Sequence, residues 1–175
     1  MENDKAPAKK TMINYGVILG ILSTALGVLI YIMDGYTEPN WIHNVIGIAI
    51  LIGVIIYGIK AYKTVNAGFL NLTEALKVGI GIALIGGIIY VLWILILMIL
   101  VEPDIISQIN ELQRAQTIEQ YPDMSEEQLN QTLEIAKKFT TPYMIAAIAL
   151  IGNLFFGFII SLIGGLIMQK KQELH

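Results

Sequence analysis

Four long runs of this 175-residue chain carry no charged side chain, and nothing else in the sequence restricts its fold as strongly. They are Met12 to Met33, Trp41 to Ile59, Val78 to Val101 and Tyr143 to Met168, with only the titratable His43 near the start of the second. A helix rises about 1.5 Å per residue and needs about 20 apolar residues to cross ~30 Å of hydrocarbon. Each run meets or nearly meets that length. The rival reading, helices buried inside a water-soluble protein, fails on composition. Hydrophobic residues make up 55% of the chain and charged residues 14%, where globular domains have about 25% charged. Too little polar sequence remains to cover four such helices. The expected fold is therefore an all-α integral membrane protein, a single membrane domain over residues 1–175. Its four transmembrane helices cover about 12–33, 41–59, 78–101 and 143–168, with residues 102–142 forming an acidic, amphipathic helical hairpin outside.

The first run is too long for the apolar core of a signal peptide, and "YIMDGYTEPN" after it has no small-residue cleavage pattern. A retained first span is expected. Lysine and arginine set the orientation. The two tails and the second connection hold eight of them: Lys5, Lys9, Lys10, Lys60, Lys63, Lys77, Lys170 and Lys171. The first and third connections hold three, Arg114, Lys137 and Lys138, against ten acids, a net charge of −7. Both termini are expected in the cytoplasm and the hairpin outside. Tyr31, Tyr36 and Trp41 then mark the outer boundary, Tyr15, Tyr57 and Tyr62 the inner one. Tyr90 and Trp93 lie deeper and are expected to pack on another helix.

The hairpin reads as two helices broken at "YPDMS". Pro103 suits a first helical position, with Asp104 in the first turn. Ile105, Ile109 and Leu112 give the first helix one apolar face. Ser125 and Gln128 have the spacing of a capping box. Leu129, Leu133, Ala136 and Thr140 line one face of the second helix, and Lys137 and Lys138 suit its last turn. Pro142 marks the return into the membrane. The acids lack the spacing of a calcium loop.

In lipid, small residues mark the faces where helix backbones approach. Ala149, Asn153, Gly157, Ser161 and Gly165 recur every four residues in the last span, and Gly79, Ala83 and Gly87 do so in the third. Gly16, Gly20, Thr24 and Gly27 form a similar face on the first. Contact between helices is the expected role, within one chain or between chains. Asn153 is expected to hydrogen-bond to another helix, since an amide in hydrocarbon needs a partner.

Catalytic patterns are missing. The chain has no cysteine, and its two histidines, His43 and His175, lie far apart, so no metal site is expected. There is no nucleophile elbow, phosphate loop or H-E-x-x-H, and no cofactor, nucleic-acid partner or enzymatic activity is expected. No Asp, Glu, Lys or Arg lies inside a span, which argues against a proton-coupled pump. At the inner side, Asn71 and Glu74 have capping-box spacing, Glu74 and Lys77 can pair at i, i+3, and Lys60, Lys63 and Lys77 can reach anionic headgroups.

"YGIKAYK" (Tyr57 to Lys63), "GFLNLTEALKVGIGIALIGGIIY" (Gly68 to Tyr90) and "NLFFGFIISLIGGLIMQKK" (Asn153 to Lys171) resemble the bacterial membrane family catalogued as domain of unknown function 4199. "MSEEQLNQTLEIAKKF" is similar to that family's extramembrane insert. The resemblance runs from about Thr11 onward. It implies a four-span protein of a bacterial inner membrane and carries over no activity, substrate or catalytic residue. The expected function is assembly in the lipid bilayer, as a homo-oligomer or with another membrane protein, through the small-residue faces and the hairpin. The alternative is a small carrier or channel-like oligomer for a neutral or amphiphilic solute, with Asn153 and Ser161 facing a cavity.

Overall fold

The computed structural model describes residues 5–33 and 40–170. Its helices are α1 (Lys5–Ile32), α2 (Trp41–Val65), α3 (Leu72–Ile96), α4 (Ile105–Gln120), α5 (Glu126–Phe139) and α6 (Pro142–Met168), with a π-helical segment at Leu97–Val101 closing α3. Four of these are long and apolar enough to cross a membrane: Ala8–Ile32, Trp41–Val65, Leu72–Val101 and Pro142–Met168. The chain is an all-helical, multi-pass membrane protein.

The helices overrun the uncharged runs, each for a local reason. α3 starts at Leu72 because Asn71 and Glu74 close a reciprocal capping box. α2 continues past Lys60 and Lys63 to Val65, keeping both lysines at its end. The loop after it turns through Ala67 at φ 53° and Gly68 at φ 81°. That left-handed pair is strained for alanine and open to glycine. The loop then forms an isolated bridge to the end of α6, with Leu70 N–H donating to Lys170 O (3.0 Å) and Lys170 N–H to Leu70 O (2.8 Å).

Two expectations at the helix starts are corrected. Pro103 and Asp104 lie in a turn ahead of α4, not in its first turn, and Asp104 makes no side-chain cap bond. Glu102, which precedes the proline, leaves the helical region at φ −138°. A proline ring pushes its predecessor that way. Glu74 does not pair with Lys77. Its Oε1 accepts from Tyr62 Oη (3.4 Å) and Asn66 Nδ2 (3.5 Å), and its Oε2 from the Asn71 N–H (2.8 Å). The loop's donors hold the carboxylate before the lysine can.

α3 is central and packs on α1, α2 and α6, while α2 also touches α1 and α6. The core divides in two. The inner cluster takes side chains from all four spans, including Leu19, Ile55, Ile59 and Ile82. The outer cluster gathers Ile94, Leu97, Met98, Ile105 and Ala146, so it ties the base of the hairpin to α3 and α6. Buried α2 residues begin only at Leu51. Large apolar side chains such as Ile52, Leu92, Ile151 and Ile167 stand exposed on the bundle's outside. In water that surface would drive aggregation; against acyl chains it is matched.

Candidate functional site

The candidate site residues converge on one seam. α3 and α6 run antiparallel, and their small residues meet rung by rung: Ala75 with Gly165, Gly79 with Ser161, Ala83 with Gly157, Gly87 with Asn153. Each step of four along one helix matches a step of four along the other. A methyl group added at Gly157 would lie 2.5 Å from Ala83 Cβ, and one at Gly79 would collide with the Ser161 side chain. The backbones are therefore closer than any larger residue permits. Ala149 lies one turn further out, half-buried against the outer cluster.

Two polar groups sit in this seam, and both are tied. Asn153 Nδ2 donates to Ala83 O of α3 at 2.6 Å, across the helix pair. Ser161 is fully buried and its hydroxyl donates to Gly157 O, one turn back in its own helix. Such back-bonding satisfies a hydroxyl without an outside partner. The eight residues singled out on α3 and α6 thus lie between helices of one chain. An assembly using these faces would have to open the bundle first.

The small face of α1 is filled in the same way. Gly16 takes Ile85, Gly20 takes Ile89, and Gly27 takes Trp93 and Tyr90, all from α3. Here sequence patterning missed a polar feature. Thr24 Oγ1 and Trp93 Nε1 are buried without a hydrogen-bond partner. A threonine in a helix reads first as bonded to its own backbone and an indole in an apolar run as packing, so neither pattern signals an unpartnered pair. Tyr31 Oη donates to Glu102 Oε2 (3.3 Å), linking the outer ends of α1 and α3.

Outside the bundle, Ser125 and Gln128 close their capping box, and Thr141 caps α6 with Pro142 in its first turn. Leu129 and Thr140 are buried, and Leu133 and Ala136 half-buried, along the expected face of α5. Ile118, Tyr121, Ile135 and Phe139 remain exposed, between 47% and 59% of their surface. Sequence reasoning did not single out this second apolar set. The signal was present in Thr132, Ile135 and Phe139, spaced three and four. A groove of about 570 Å³ at the tip is walled by Tyr121, Met124, Thr132 and Ile135. Among the described residues, no three His, Asp or Glu side chains gather as metal ligands.

No curated protein and no solved structure matches the chain. A family model does, over residues 14–170, which takes in most of the first span and all that follows up to Lys170; the chain belongs to the family described as "Protein of unknown function (DUF4199)".

Proposed function

We propose that this chain is a non-enzymatic protein of the bacterial inner membrane, with both termini cytoplasmic, that works by assembling with a second copy or another membrane protein through its outer hairpin. The exposed set Ile118, Tyr121, Ile135 and Phe139 carries this reading. These residues stand on the two most polar helices of the chain, whereas the small-residue faces are already filled by their own chain. Exposed aromatic and aliphatic groups rimmed by charge are what a partner buries. The carrier reading needs Asn153 and Ser161 to line a cavity, and their bonds to Ala83 O and Gly157 O take them out of that role.

The chain has no cysteine, so single cysteines can be placed at will. Ile135→Cys and Glu127→Cys, each carrying a photo-crosslinker, are compared in native membranes. The expected outcome is a band of defined mass from position 135 that is absent from position 127. Equal, diffuse labelling at both positions would remove the assembly reading. If position 135 gives a band of twice the chain's mass, the partner is a second copy.

A further inference from the structure

At the end of the bundle where α1 starts and α6 ends, a groove of about 710 Å³ runs between the start of α3 and the end of α6. Its walls are Asn71, Leu72, Thr73, Glu74, Lys77 and Gln169. Asn71, Thr73, Lys77 and Gln169 are exposed there. The lysines of this end are not equivalent. Lys63 Nζ donates to Met168 O at 2.7 Å, capping the last turn of α6. Lys170 Nζ stands 5.9 Å from the centre of the Phe69 ring. Glu74, the acid nearest in sequence to Lys77, has both oxygens occupied by Tyr62, Asn66 and Asn71. Among the described residues Lys77 is therefore a cation in the groove wall with no ion pair, and the Glu74 carboxylate is held by neutral donors of the loop.

Depth and pattern say what such a groove faces. The third span is 30 residues long, about 45 Å of helix against ~30 Å of hydrocarbon. Centred in a bilayer, it extends about 7 Å beyond the hydrocarbon at each end. Leu72 and Thr73 then sit at headgroup level and Lys77 at the hydrocarbon boundary, where a lysine reaches outward to the polar layer. Below Lys77 on the same helix face come Ile80, Leu84 and Ile88, the last two exposed. On α6, Leu166 and Ile167 are exposed beside Gln169. A cation and hydroxyl at headgroup depth, continued by apolar surface on two helices, have the layout of a phospholipid.

The geometry points to a specific site for an anionic phospholipid: the phosphate lies in the α3–α6 groove against Lys77 and Thr73, and the acyl chains run down the faces beneath. This site is independent of whether the hairpin has a partner.

The test uses the full chain in a neutral detergent, titrated with dioctanoyl phosphatidylglycerol, dioctanoyl phosphatidylcholine and inorganic phosphate, with bound lipid counted by native mass spectrometry. Phosphatidylglycerol is expected to bind more tightly than phosphatidylcholine. Lys77→Gln should lower its affinity about fivefold, the worth of one lysine near an anionic headgroup. Thr73→Val should lower it about threefold, the loss of one hydrogen bond. Lys137→Gln, on the hairpin, should leave it unchanged. Circular dichroism establishes that each variant keeps its helices. Equal binding of both lipids, or no loss with either groove variant, would overturn the proposal. An equal loss with Lys137→Gln would reduce it to diffuse charge attraction, and displacement by inorganic phosphate at the lipid's own concentration would reassign the groove to a free anion.

Discussion

Between α3 and α6 the facing residues are Ala75, Gly79, Ala83 and Gly87 against Gly165, Ser161, Gly157 and Asn153. On α4 the buried and half-buried residues include Ile105, Ile109, Leu112 and Gln113, and on α5 and its cap Leu129, Leu133, Ala136 and Thr140. The first pair belongs to helices long and apolar enough to cross a membrane and the second to two shorter, more polar helices, and each uses the residues its expected solvent makes effective. Lipid tails gain nothing from hiding leucine, so the membrane pair depends on backbone proximity. Water does reward hiding leucine, so the outer pair depends on an apolar stripe. Fit differs accordingly. The membrane seam leaves no space for a methyl group at Gly79 or Gly157. The hairpin keeps grooves of about 570 and 380 Å³ along its two helices, and Asn110 Oδ1 is buried there without a partner. The tight pair is suited to holding the fold. The loose pair has room to be completed by something else.

The largest effect should come from crowding the tight pair. Gly157→Leu forces α3 and α6 apart and is expected to cost about 3 kcal/mol, at the upper end for overpacking. Gly152→Leu is its control on the same helix, because a side chain there meets nothing within 4 Å. It should change stability by no more than about 0.5 kcal/mol, as at an ordinary surface position. Reversible unfolding in mixed micelles, followed by circular dichroism, measures both. Similar midpoints for the two variants would break the contrast drawn above, since the seam would then not depend on closeness.

The legibility of the two regions also differs. The small-residue runs of α3 and α6 could be read because a spacing of four puts them on one face. Which two faces meet could not, since the α1 face Gly16–Gly20 has the same character and packs instead on Ile85 and Ile89. Both capping boxes could be read from three-residue spacings, because their partners are local. The pairing of Glu74 with Tyr62 and Asn66 could not, because it depends on a loop that turns through two positive-φ residues. Pro103 misled for a related reason. Its preference for a helix start is real, but the π segment before it is followed by a non-helical Glu102, and α4 starts only at Ile105.

The two capping boxes allow a second comparison. Ser125 Oγ accepts from Gln128 N–H (3.3 Å), and Asn71 Oδ1 accepts from Glu74 N–H (2.8 Å). Losing such a cap costs about 1 kcal/mol wherever it occurs. In the loose hairpin the loss should stay local. Ser125→Ala is expected to raise amide exchange in Glu126–Phe139 about fivefold while the bundle's unfolding midpoint is unchanged. Asn71→Ala should shift the global midpoint instead, because its loop bridges to Lys170 at the end of α6. If Ser125→Ala moved the global midpoint as far as Asn71→Ala does, the hairpin would be part of the same cooperative unit as the spans.

The smallest effect belongs to the hydrogen bond from Asn153 across the seam, and its size is informative because it is expected to be small. Asn153→Leu keeps a similar volume and removes the bond to Ala83 O. An unpaired amide in hydrocarbon is costly, yet the unfolded helix in lipid finds partners of its own, and measured values for such bonds average about 0.6 kcal/mol. Ala83 O is also a backbone carbonyl inside a helix, already an acceptor along α3. The expected loss is therefore about 0.6 kcal/mol, well below that for Gly157→Leu. That order would assign the seam to packing first and polarity second. A loss above about 2 kcal/mol would reverse it, making the amide and not the glycines the main determinant of how α3 and α6 dock.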